Sequence, residues 1–226
     1  MSAPAASPEP SRSGPVRWLL RGLAAAVAIA LIALLAYGVS VQSPNASIDD
    51  ALSRGHTTLA PPFRLERLQR GSLGTRLGAK LTPVFDQSPV GLGVLRGTPL
   101  VLNFWASWCV PCQEEASTLQ RAWRLQARPR GVLFLGLDMQ DVTGDAHTFL
   151  AHYTIDYPNV RDPSNGVARS YGVTGVPETF FISARGEIVG HIIGASSTAQ
   201  LTAGIDAARA GQVEQARHGG EQRPLQ

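Results

Sequence analysis

Two cysteines, Cys109 and Cys112, are the only ones in the 226-residue chain, and they stand together in Trp108-Cys109-Val110-Pro111-Cys112. A structural disulfide framework needs more cysteines, spread along the sequence. A structural zinc site needs four ligands, and no second pair supplies them. That leaves a redox couple or chance, and the surroundings must decide. An apolar run of strand length, Leu100 to Trp105, precedes the pair, and a helix is expected from about Pro111 to Ala127. Pro111 suits a first helical turn, where its missing N–H costs nothing. The first sulfur then lies at a helix amino terminus, where unpaired N–H groups and the helix dipole favour a thiolate. Such placement lowers a cysteine pKa from about 8.5 to roughly 3.5–7.5. Cys109 is therefore expected to be the exposed attacking nucleophile. Cys112, one turn inside, would resolve the mixed disulfide.

Helix geometry also selects an acid. Residues three and four apart share a face, so Cys112, Glu115, Ala116, Leu119 and Trp123 line one side while Glu114 points away. Glu115 is expected to be partly buried beside the inner sulfur, its pKa raised by burial, taking a proton from Cys112. Trp105 and Trp108 are expected to pack around the disulfide, with Trp108 able to grip substrate. Asp138 would end a strand and cap the next turn. Arg121, Arg124 and Arg128 read as a solvated row near the helix end. His147 and His152 read as surface residues, and His191 as packing or surface.

The pair needs elements to position it. Gly131–Leu137 reads as a second buried strand, 144–153 and 163–171 as helices, and 198–210 as a last helix. Thr179–Ser183 and Glu187–Ile193 flank the short turn Ala184-Arg185-Gly186 and read as a hairpin. Residues 63–68 alternate like an entry strand, and 71–97, rich in Gly and Pro, give no assignment. Strand–helix–strand followed by a hairpin and helix is an α/β arrangement with a mixed central sheet flanked by helices.

Ahead of this domain, Gly22 to Val41 carries no charge. About 20 such residues cross a bilayer core of roughly 30 Å. Arg12, Arg17 and Arg21 lie only on the amino-terminal side, which places that side in the cytoplasm and the rest outside. The expected order is a disordered cytoplasmic segment 1–17, a transmembrane signal-anchor helix 18–41, a linker 42–60, the folded domain 61–210 and a loose tail 211–226. The alternative is a cleaved signal, but Ala36-Tyr37-Gly38-Val39-Ser40 matches a cleavage site poorly. The net charge of +3 is matched by those three arginines alone, so no nucleic-acid footprint remains. No metal or cofactor is expected.

Val101 to Cys112 resembles the active-site stretch of the TlpA/ResA/DsbE (CcmG) thioredoxin-like proteins. Gly172-Val173-Thr174-Gly175-Val176-Pro177-Glu178-Thr179-Phe180-Phe181-Ile182 resembles their cis-proline loop. The likeness covers roughly residues 60–208 and implies a thioredoxin-like fold. It implies a cis Val176–Pro177 bond beside the cysteines, with Val176 and Pro177 pairing to an extended substrate segment. It also implies a buried glutamate at Glu115 with asparagine at Asn103, where ordinary thioredoxins carry aspartate. Its members typically reduce apocytochrome c thiols with electrons from a membrane thiol carrier. Glu178 leans towards the DsbE-like members and cytochrome c maturation. The competing readings are an oxidant of exported proteins and a copper chaperone using the two cysteines and His191. Thiolates suit Cu(I), but thioredoxin-fold copper proteins space their cysteines by three residues.

Overall fold

A computed structural model of the chain describes residues 15–42, 47–214 and 217–224. The expected disordered segment therefore lies, up to residue 14, outside the described residues. The chain divides into two compact units, Met1–Ser43 and Pro44–Gln226. In the first, α1 (Pro15–Gln42) is a single helix, and its stretch Trp18–Tyr37 has a mean hydropathy of 2.4. Every described side chain in that stretch is exposed. Its 20 residues rise about 30 Å at 1.5 Å each, enough to cross a hydrocarbon core.

In the second unit, the apolar runs become the centre of a sheet. β4 (Leu100–Trp105) and β5 (Leu133–Met139) are buried at every position and pair in parallel. Runs of this kind are buried on both faces, which is why they lack the alternation of a half-exposed strand. β6 (Asn159–Asp162) continues the parallel set beside β5. On the other side, β8 (Glu178–Ile182) is antiparallel to β4, and β9 (Glu187–Ile193) is antiparallel to β8, forming the expected hairpin. The short strands β1 (Thr58–Leu59) and β3 (Val90–Gly91) close the edges, with β2 (Arg64–Gln69) between β6 and β3. The order is β1-β9-β8-β4-β5-β6-β2-β3, a mixed sheet.

Helices flank it. α4 (Val110–Ala122) passes into a π turn over Trp123–Ala127 and a 3₁₀ turn over Arg128–Arg130, and the left-handed Gly131 ends it. α5 (Thr143–His152) and α6 (Gly166–Tyr171) join the parallel strands and the site loop. α7 (Thr198–Ala210) starts with a reciprocal cap between Ser197 and Gln200, which satisfies two otherwise orphaned N–H groups.

Three stretches differ from the sequence expectation. The expected linker 42–60 contains α2 (Ser47–Ser53) and β1; Ile48 and Leu52 of α2 are buried in the core. The unassigned stretch holds α3 (Gly74–Phe85) and a 3₁₀ turn at Leu92–Leu95. Gly78 and Pro83 mask the period of α3, but Leu77, Leu81 and Phe85 still line one buried face. The expected loose tail carries β10 (Arg217–His218), parallel to β9, and β11 (Arg223–Pro224), antiparallel to β7 (Gly175–Val176).

Candidate active site

Cys109 is the N-cap of α4, with extended backbone, and its Sγ accepts the Cys112 N–H at 3.1 Å. Cys109 and Cys112 are joined as a disulfide. An N–H aimed at Sγ is the contact that stabilises a thiolate once the bond is opened. Val176, next to the cis bond Val176–Pro177, brings its carbonyl oxygen to 3.5 Å from Cys109 Sγ. A disulfide sulfur carries no proton, so this is a contact in the oxidised form. The expectation that Cys109 is exposed is corrected: it is 0% exposed and Cys112 2%. Helix placement gave the right electrostatics, but accessibility depends on distant segments that close over the sulfur.

Behind the pair lies a buried polar cluster. Glu115 is 3% exposed. Its Oε1 accepts from Asn103 Nδ2 at 2.9 Å and its Oε2 accepts from the Ser196 N–H at 2.6 Å. Asn103 also donates to Thr179 Oγ1 at 3.0 Å, tying β4 to β8. Burial pushes the Glu115 carboxyl up to about 7, against the opposing pull of the bonds from Ser196 and Asn103. It sits three residues after Cys112, a spacing that makes the two side chains neighbours on α4. Such a group exchanges protons near neutrality, where general acid–base catalysis is most effective.

The tryptophans divide their tasks. Trp108 is half-buried and donates from Nε1 to the Gln140 carbonyl at 2.9 Å. The same turn is fixed by Asp141, which accepts from the Ser107 N–H and hydroxyl. Trp105 stacks on Phe149 with centroids 4.5 Å apart and donates to Asn159 Oδ1 at 3.0 Å. It therefore packs towards α5 and β6, not around the disulfide as expected. Gly136 makes this possible, since a Cβ there would lie 1.8 Å from Asn159 Oδ1. Asp138 lies within β5 and does not cap a turn. It pairs with Arg161 at 3.0 Å, and burial, aided by Asp141, raises its carboxyl to about 7.

Sequence reasoning missed one constellation. His191 is buried, with Nδ1 at 2.7 Å from Asp49 Oδ1 and Nε2 at 2.9 Å from Glu178 Oε2. Ionised carboxylates only accept, so an imidazole satisfying both donates from both nitrogens and carries a charge. Burial alone would lower its pKa; the bonds to Asp49 and Glu178 overcome this and raise it. The other oxygen of Glu178 accepts the N–H groups of Thr174 at 2.9 Å and Gly175 at 3.3 Å. The histidine thus anchors the carboxylate that shapes the loop around Val176. With both nitrogens engaged, His191 is not free to join the cysteines as a copper ligand. The only signal for this in sequence is a histidine interrupting an apolar strand; in the hairpin it lies opposite Phe180, two residues from Glu178. The Asp49 partner came from a stretch read as linker.

Comparison with known proteins agrees with this geometry. The AhpC/TSA family model matches residues 77–191. HelX, a thiol:disulfide interchange protein of Rhodobacter capsulatus, is 31% identical over 160 residues, covering 67% of this chain and 88% of HelX. DsbE of Pseudomonas fluorescens biotype C is 35% identical over 44% of this chain and 54% of its own length. ResA of Bacillus thuringiensis is 30% identical over 47% of this chain and 61% of its own. The chain thus spans little more than half the length of the latter two. Among solved structures, a Chlorobium tepidum protein described as a candidate DsbE superposes with a TM-score of 0.51 at 27% identity, over 67% of this chain and 96% of that one. A DsbF homologue from Corynebacterium diphtheriae, at 21% identity, shares the fold with a TM-score of 0.53 over 67% of this chain and 87% of its own. With the cysteine pair at a helix start and the cis-proline loop against it, the chain belongs to the AhpC/TSA family as a thioredoxin-like thiol–disulfide oxidoreductase of the DsbE/HelX/ResA type.

Proposed function

We propose that the chain is a membrane-anchored disulfide reductase acting outside the cytoplasm on exported proteins, apocytochrome c among them. The observation that carries this reading is the stacking of three functions at one helix end. Cys109 Sγ meets an N–H at the start of α4, a carbonyl of the cis-proline loop lies beside it, and Glu115 is held near neutrality behind it.

In the reduced enzyme, the Cys109 thiolate attacks one sulfur of a substrate disulfide. A mixed disulfide forms and the other substrate sulfur leaves as a thiolate, to be protonated. Glu115, as carboxylate, then takes the proton of the Cys112 thiol. The Cys112 sulfur attacks Cys109, closing the disulfide seen here and releasing the second substrate thiolate. Substrate gains two electrons and the enzyme loses two, so a dithiol donor must return them. For a domain outside the membrane this donor is a membrane thiol carrier, and α1 keeps the domain beside it. Arginines on the amino-terminal side only of the uncharged stretch Gly22–Val41 support an amino terminus in the cytoplasm. Val176 and Pro177 form the edge on which an extended substrate segment lies, and Trp108 frames it.

An oxidised peptide carrying a Cys-x-x-Cys-His haem-attachment segment tests the substrate class. The reduced domain is expected to reduce it faster than insulin, and Cys112→Ser to accumulate the mixed disulfide through Cys109. Failure to reduce the peptide, with insulin reduced readily, would remove apocytochrome c from the reading and leave a general reductase.

A further inference from the structure

After α7 ends, the chain turns back across the sheet edge. The Glu214 N–H reaches the Val189 carbonyl at 2.6 Å, and Arg217 and His218 run parallel to Ile192 and Ile193 of β9. The segment then crosses the turn after β9. Gly219 N–H donates to Ile193 O at 2.7 Å, Gly220 N–H to Ala195 O at 2.7 Å, and Ala195 N–H to Glu221 O at 3.0 Å. It finishes on the cis-proline loop, with Arg223 opposite Val176 and Pro224 opposite Gly175, antiparallel. Gln222 Nε2 donates to Glu178 Oε1 at 2.6 Å, the oxygen that also holds the loop's N–H groups. The fit is close: a Cβ on Gly175 would lie 2.5 Å from the Arg223 carbonyl oxygen.

We propose that residues 217–224 are a built-in, unreactive occupant of the substrate edge, which a disulfide-bearing segment must displace before it reaches Cys109. This rests on the reading that β7 is where substrate pairs. One strand edge offers one set of main-chain groups, so two extended segments cannot use it together. The Val176 carbonyl is 3.5 Å from Cys109 Sγ, so whatever pairs with β7 sits beside the sulfur. The segment contains no cysteine, so it occupies the edge without entering the exchange. Its hold suits displacement. All its residues are exposed except Gly219 and Gln222, which are half-buried. Main-chain pairing and two side-chain amides, Gln222 on Glu178 and Gln200 on the His218 carbonyl, therefore secure it, with little apolar burial. Tethering compensates, because a short linker gives such an occupant an effective concentration of about millimolar.

The test uses the chain from Pro44 onward, which is a compact unit by itself, in three versions. These are the intact unit, one ending at Glu214, and one carrying Gly219→Val, whose added Cβ would lie 2.4 Å from the Ala195 carbonyl oxygen and lift the segment. A fluorescent peptide of residues 217–226 is titrated into each, and insulin reduction is measured alongside. The shortened and Gly219→Val versions are expected to bind the peptide about tenfold more tightly than the intact unit. Their KM for insulin is expected to fall by a similar factor, with kcat unchanged. Equal peptide affinity in all three, or an unchanged KM, would overturn the proposal. If no version reduces insulin, the reductase reading has failed, and peptide binding alone decides whether the segment occupies the edge.

Discussion

A carboxyl held near 7 inside a protein has two opposite consequences, and Glu115 makes both measurable. As a base it is more often ionised as pH rises, so resolution of the mixed disulfide should quicken through about pH 7. Glu115→Gln should slow that step by about 10²-fold and abolish its pH dependence, checked by single-turnover release of substrate. A merely structural role would leave the pH profile in place. For stability the sign reverses. Folded Glu115 binds its proton up to about 7, against 4.5 ordinarily, so the folded state holds more protons than the unfolded one between these values. Stability therefore falls as pH rises across that window, by on the order of 3 kcal/mol for this group. Asp138, raised from 3.8 to about 7, acts in the same direction. The urea midpoint should be higher near pH 5 than near pH 8. His191, with its pKa raised by Asp49 and Glu178, likewise contributes stability that is lost as pH climbs through its folded pKa. His191→Phe should leave Glu178 buried against an apolar ring, at a cost of about 3–5 kcal/mol measured by urea unfolding.

Elements with a strong hydrophobic pattern were readable from sequence, and elements held by distant partners were not. β4 and the β8–β9 hairpin announce themselves through a continuous apolar run and a turn containing Gly186, and α7 is expected at 198–210, while its Ser197–Gln200 cap is seen only in the structure. The cysteines could be placed at a helix start because a strand run and Pro111 bracket them. Glu115 followed from helical spacing alone. α2 was missed because seven residues with two acids carry too little pattern, and only packing shows that Ile48 and Leu52 belong to the core. β6 has four residues after Pro158 and exists because β5 and β2 flank it. The burial of Cys109 and the buried His191 pair likewise depend on segments far apart in sequence. Leu52→Ala should therefore cost about 2–5 kcal/mol, as for a core leucine, which thermal or urea unfolding would show. A true linker leucine would cost almost nothing. Ser197→Ala should cost about 0.5–2 kcal/mol through loss of the α7 cap.

At the scale of the whole molecule, an apolar helix and a redox domain are joined in one chain, and the function proposed requires both. If α1 is an uncleaved anchor, the full chain should resist carbonate extraction from membranes and residues 44–226 should be soluble. Release of the full-length chain by carbonate would contradict the anchor. Direction of electron flow is a property of the whole domain, because it depends on the relative stability of the dithiol and disulfide forms. Known proteins with this cysteine spacing range from about −270 mV in thioredoxin to about −120 mV in DsbA, and roughly 30 mV is a factor of ten for two electrons. The reduction potential of residues 44–226, equilibrated against dithiothreitol and glutathione buffers, is the most direct test of reductase function. A value close to that of thioredoxin is predicted, and one close to that of DsbA would make the protein an oxidant and contradict the reductase assignment.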